Sequence, residues 1–169
     1  MATTFEALAT VTVGSGGAAN IEFTSIPGTY TDLNLFLSAR SNRNSYQDYV
    51  KLTFNSATAN RTNRTLIADA GTIVSENSST MRFARVSAAT ATASTFGNCS
   101  LYIPNYASSN NKSSSADGVS ENNSSSSILT LDANLWSDSS AITSIQISPG
   151  DGTLFVEYSS ATLYGIKNS

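Results

Sequence analysis

A two-residue rhythm governs this chain. Leu33, Leu35 and Leu37 alternate with Asp32, Asn34 and Ser38, and short runs of the same period recur from Val11 to Ile166 with almost nothing of helical period between them. Successive side chains of a strand point to opposite faces, so each run carries one apolar face and one face of hydroxyls and amides. That is the pattern of a sheet buried on one side. The candidate strands are Leu8 to Val13, Asn20 to Ile26, Thr31 to Ala39, Tyr49 to Asn55, Thr65 to Asp69, Met81 to Ser87, Asn98 to Ile103, Ile128 to Leu135, Ala141 to Ser148, Thr153 to Tyr158 and Thr162 to Ile166. Between them lies turn chemistry. Gly14-Ser-Gly-Gly17 supplies positive φ, Pro27-Gly28 suits the centre of a type II turn, and Pro149-Gly-Asp-Gly152 reads as a hairpin tip. Many short strands without a crossover helix predict one all-β domain over 1–169, an antiparallel sandwich or barrel.

A chain of 169 residues buries about 70% of its unfolded surface, so neither a disulfide nor a metal is needed to hold it. Two stretches break the rhythm. Ala88 to Thr95 contains only Ala, Thr and Ser, which suits an unpacked edge segment or a loop. Residues 106–127 are mostly Ser and Asn around Lys112, Asp117, Gly118 and Glu121, and read as a long polar loop. Loops of that length are binding elements, disordered segments or hidden strands, and a polar edge strand between Lys112 and Ser120 stays open.

Catalytic chemistry is thinly represented. The chain has no histidine, which removes serine triads, thiol–imidazole pairs and histidine-bearing zinc sites. Asp132, Asp138 and Asp151 offer carboxylates at or near strand ends, yet turn chemistry alone accounts for Asp there. Asp132-Ala-Asn134 with Asp138 lacks the Gly and Glu of a calcium loop, and Gly14 to Gly17 lacks the lysine of a phosphate loop. Cys99, the single cysteine, alternates with Leu101 and Ile103 and reads as a small core residue. The expectation is a non-enzymatic protein without cofactor or metal. Charged residues make up 12% of the chain and the net charge is −3, which gives no footprint for nucleic acid. No leader-like or bilayer-length apolar run is present, so no membrane partner is expected.

Aromatic residues are the best candidates for contacts with other molecules. Tyr49 and Tyr102 lie within strands and read as packing residues, whereas Tyr46 and Tyr106 fall in polar loops. Trp136 closes a strand, where it either packs beneath the adjoining loop or anchors an interface. With Phe5 in an N-terminal arm of about residues 1–9 and Lys112 in the polar stretch, the interface candidates are Phe5, Tyr46, Tyr106, Lys112 and Trp136.

The succession Ile21-Glu-Phe23-Thr-Ser-Ile-Pro27, Thr29-Tyr-Thr-Asp-Leu33 and Leu37-Ser-Ala-Arg40-Ser41 resembles small virion proteins of tailed bacteriophages. Ile103-Pro-Asn105-Tyr106-Ala, Lys112, Trp136-Ser, Ala141-Ile-Thr-Ser-Ile145 and Thr162-Leu-Tyr164-Gly-Ile166 extend the likeness over nearly the whole chain. The resemblance implies a jelly-roll-like β-sandwich on the particle exterior, made in the host cytoplasm. It would serve as a capsid cement or decoration protein that binds the major capsid protein, commonly as a homotrimer. The same resemblance leaves open a tail-fibre module that contacts host glycans through Tyr46, Tyr106 or Trp136. A likeness that begins near the start and ends near the last residue leaves no room for a fibre shaft, which favours cement.

Overall fold

The computed structural model describes residues 4–123 and 127–167. Within them lie β1 (Phe5–Thr12), β2 (Ile21–Phe23), β3 (Asp32–Ala39), β4 (Gln47–Phe54), β5 (Arg61–Asp69) and β6 (Thr72–Ser78). The second half adds β7 (Arg82–Ser87), β8 (Gly97–Ile103), β9 (Lys112–Ser120), β10 (Ile128–Trp136), β11 (Ile145–Pro149) and β12 (Ser160–Ile166). All pairings between these strands are antiparallel. They form an eight-stranded sheet, β1-β12-β3-β8-β9-β10-β5-β6, and a four-stranded sheet, β2-β11-β4-β7. The chain is a single-domain β-sandwich, as its period-two pattern predicts.

The core lies between the sheets. Leu33, Leu35, Leu37, Leu101, Ile103 and Leu163 point inward from the large sheet onto Ile21, Phe23, Leu52, Phe54, Phe83 and Ile147 of the small one. Each fully buried side chain of this size contributes about 1.5–3 kcal/mol relative to exposure, so the strict alternation sets the register. Cys99 belongs to this core, and burial raises its thiol pKa.

Four expectations are corrected by the pairing. The first concerns the N-terminal arm: Phe5 to Thr12 pair with β12 as the edge of the large sheet, so residues 5–9 form a strand, while residues 1–3 lie outside the described residues. The second concerns Thr153 to Tyr158, which is no strand. Asp48 receives the N–H groups of Asp151 (3.1 Å) and Gly152 (2.9 Å) and bends the chain away after Pro149, so Pro149-Gly-Asp-Gly152 is no hairpin tip. Phe155, fully buried, then makes single bridges to Ala18 and Ser41. The third is Pro27-Gly28, where Gly28 has no positive φ and the type II turn is absent; Ser25 takes the left-handed conformation instead (φ 55°). At Gly14-Ser-Gly-Gly17 the positive φ values do occur, 92° at Gly16 and 80° at Gly17.

The fourth correction is the largest. Lys112 to Ser120 form neither loop nor edge; β9 sits inside the large sheet, paired to β8 and β10. Lys112, Ser114, Ala116, Gly118 and Ser120 point inward and are buried. Small residues are required because β7 packs across β8, β9 and β10 at near-backbone distance. A Cβ on Gly118 would stand 2.3 Å from the Ala84 Cβ, and one on Gly97 would stand 2.8 Å from the Val86 Cα. The other Ala/Ser/Thr stretch, residues 88–95, is a loop. Arg40 holds it by donating from Nη1 to the carbonyls of Thr92 (2.9 Å) and Thr95 (3.0 Å) and from Nη2 to those of Ala91 (3.0 Å) and Ala89 (3.2 Å).

Candidate functional site: the outer face of the large sheet

β10 is turned inside out. Its sequence, Ile128-Leu-Thr-Leu-Asp-Ala-Asn-Leu-Trp136, alternates as a half-buried strand should, but Thr130, Asp132 and Asn134 face inward and Leu129, Leu131 and Leu135 face solvent. The inward polar groups replace a missing strand. β7 is the edge of the small sheet, and its free backbone groups are taken up by side chains of β10. The Asp132 Oδ2 accepts the Ala84 N–H (3.2 Å), the Asn134 Oδ1 accepts the Arg82 N–H (3.0 Å), and the Asn134 Nδ2 donates to the Arg82 carbonyl (2.9 Å). Asn63 on β5 donates to the Asp132 Oδ1 (2.9 Å), and the Thr65 hydroxyl lies against the same carboxylate. Buried polar groups cost free energy unless they find partners; Asp132 and Asn134 find them on β5 and β7, whereas the Thr130 hydroxyl is buried without one.

The consequence appears outside. Leu131 is 58% exposed and pairs laterally with Leu66 (46% exposed) on β5, while Leu129 is 55% exposed and lies between Ala68 and Val119. Ile73 on β6, opposite Ala68, is 74% exposed. These side chains form one continuous apolar surface over four strands, with a shallow depression of about 280 Å³ at its centre. No described residue covers it.

A second apolar area occupies the other end of the same face. The Phe5 and Tyr164 rings stack with centroids 4.6 Å apart, and Phe36 meets Tyr164 edge-on at 5.7 Å. Tyr102 stands nearby on β8 and donates its hydroxyl to the Asp32 carboxylate (2.8 Å), a hydrogen bond that raises the phenol pKa. Between the two areas run Asn98 and Ser100 of β8 with Ser113, Ser115 and Asp117 of β9, a hydroxyl- and amide-bearing strip.

The five interface candidates separate. Phe5 is exposed, within the aromatic area. Tyr46 is half-buried, and its hydroxyl donates to Asp69, which raises its pKa. Tyr106 and Lys112 are corrected from surface groups to interior ones, and Trp136 takes the buried one of its two readings. Tyr106 is fully buried under the end of the sandwich and donates to the Pro27 carbonyl. Lys112 donates from Nζ to the carbonyls of Ser108 (2.7 Å) and Asn110, and burial lowers its pKa against the opposing pull of Asp138. Trp136 packs on Phe54, centroids 6.1 Å apart. For Tyr106 and Lys112 a polar local sequence conceals a large buried side chain. The carboxylates separate as well: Asp132 is buried in mid-strand, and Asp151 pairs with Arg43 at 2.8 Å. No group of three metal-ligating side chains occurs among the described residues.

The outward leucines escape the sequence reading for a plain reason. Period two tells which residues share a face and is silent on which face is covered, and apolar residues are assigned to the core by default. No family model, curated protein or solved structure matches this chain.

Proposed function

We propose that this chain is a structural protein of a tailed-bacteriophage particle, seated on the outer capsid shell and bracing it against the pressure of packaged DNA. The observation that carries the reading is the outer face of the eight-stranded sheet, which leaves two apolar areas uncovered. Exposed apolar areas of this kind mark contacts with other macromolecules. The viral setting draws on the resemblance of the sequence landmarks and on the wiring. With the hairpins β5–β6 and β9–β10 set aside, the remaining strands run β1-β12-β3-β8 in one sheet and β2-β11-β4-β7 in the other. That order supports a jelly roll extended by two hairpins, an architecture used by viral capsid and lectin domains. Fold alone does not assign function, so the apolar face bears the greater weight.

In this reading the sandwich is a rigid spacer, and the outer face grips capsid subunits. If several copies act together, each later engagement becomes intramolecular, and avidity exceeds single-site affinity by about 10²–10⁴. Binding to the assembled shell alone stabilises it by mass action, by roughly 2.7 kcal/mol per site at a hundredfold excess over Kd. The test compares particles with and without the protein. Those lacking it release DNA at lower temperature and at lower external salt; equal release refutes the reading. The glycan-binding alternative loses Tyr106 and Trp136 to burial. Purified protein that binds a host glycan array and ignores expanded shells would favour it over cement.

A further inference from the structure

We propose that copies of this chain meet one another through the outer face of β5, β6, β9 and β10, with Leu66, Leu129 and Leu131 at the centre of the contact. The proposal rests on the reading of the chain as a surface-binding structural protein, and it assigns one of the two apolar areas to self-association and leaves the aromatic one for the shell.

Three observations point to a second copy as the occupant. The first is size. The exposed parts of Leu66, Ile73, Val119, Leu129, Leu131 and Leu135 amount to an apolar area on the order of 500 Å², at the upper end for a monomer surface. Ringed by Thr62, Arg64, Ser75, Asn77, Ser115 and Asp117 on the same four strands, it reaches about the 800 Å² that each partner contributes to a stable interface. An apolar centre with a polar rim is the ordinary anatomy of such contacts. The second is shape. Paired sheet faces pack against each other as they do within a sandwich, and this face lacks a covering layer.

The third observation is charge. Arg64 lies on β5 and Asp117 on β9, one on each side of β10, both exposed and neither in an ion pair among the described residues. Two strand spacings, roughly 9.5 Å, separate their strands, with β10 between, and they form no ion pair with each other. When the face meets its own copy about a two-fold axis parallel to β10, the acidic flank of one molecule lies over the basic flank of the other. A face with opposite charges on opposite flanks is complementary to itself, as a two-fold contact between identical subunits requires.

Light scattering on the purified full chain, from about 1 to 300 µM, tests the assignment. The expected mass is twice 17.7 kDa for the native protein and the monomer mass for Leu131→Ser. Because Leu131 is outward, the variant keeps its far-UV circular dichroism. Asp117→Arg weakens self-association at least tenfold at low salt, and adding Arg64→Asp restores it; a structural role for either residue alone produces no such rescue. A native protein that is monomeric throughout, or a Leu131→Ser variant that stays oligomeric, overturns the assignment. So does a native monomer whose leucine face is protected from hydrogen exchange only when shells are added. A native oligomer that dissociates on Leu131→Ser but ignores shells upholds the assignment and refutes the capsid reading instead.

Discussion

Gly118→Ala is the sharpest probe of the way this fold is closed. Gly118 has no positive φ, so alanine is acceptable to the backbone, and any cost must come from what its methyl meets. That methyl would stand 2.3 Å from the Ala84 Cβ, 3.2 Å from the Cys99 Sγ and 3.3 Å from the Thr130 Oγ1. Carbon atoms rest at about 3.5–4.0 Å, so β7 must retreat from β9 by more than about 1 Å. Overpacking of this kind costs about 1–3 kcal/mol, and removing a glycine from the unfolded chain returns about 0.4–1 kcal/mol. The expected net loss is about 1.3 kcal/mol, read as a lower urea midpoint with unchanged slope and as a Tm about 3–5 °C lower for a chain of this size. Ala84→Gly should rescue it. Ala84 holds φ at 63°, a conformation that costs an ordinary residue about 1–2 kcal/mol, so glycine there relieves strain as it vacates the space. The double variant should be at least as stable as the native protein. If Gly118→Ala is neutral, or Ala84→Gly gives no rescue, β7 does not press on β9 as described.

Three further outcomes follow from the same geometry. Asp132→Ala strands the Ala84 N–H and removes the acceptor of Asn63, which should cost about 3 kcal/mol in urea unfolding, while Asp132→Asn costs less; a loss under about 1 kcal/mol for Asp132→Ala would refute the pseudo-strand role of β10. Leu129→Ser and Leu131→Ser should change the unfolding free energy of the dilute monomer by no more than about 0.5 kcal/mol, because both side chains face water; a loss of core size would place them inside. Tyr46 and Tyr102 have pKa values raised above 10.0 by hydrogen bonds to Asp69 and Asp32, and Tyr106 has its value raised by burial. Groups raised in the folded state stabilise it fully below pH 10 and lose that contribution as pH rises through their folded values, so stability should decline above pH 10 with late phenolate absorbance at 295 nm. Ordinary titration near 10 with unchanged stability would count against these contacts.

Particular strands show how far the sequence can be read. β3, β8 and β10 lie within one residue of their predicted limits and β12 begins two residues before its own, because each alternates large apolar and polar side chains and is flanked by turns. β6, Thr72-Ile-Val-Ser-Glu-Asn-Ser78, goes unpredicted because an edge strand largely exposed on both sides has no buried face to impose a period. β9 is obscured differently: its period is intact, but the repeating residues are Ser, Ala and Gly, which propensity arguments assign to loops. Thr153 to Tyr158 alternates well and still forms no strand, since the Asp48 cap directs the chain across the open end of the sandwich. The candidate face was visible as a spacing of leucines and invisible as a surface.

Local sequence, then, determined that this protein is built of strands and which side chains stand together on each, because backbone geometry alone makes neighbours alternate. Tertiary structure decided which side of each strand meets water. β7 lies so close to β9 and β10 that small or hydrogen-bonding side chains stand beneath it, and the leucines of β10 are left facing outward. Burial depends on what another segment places overhead, and no periodicity within a strand carries that information.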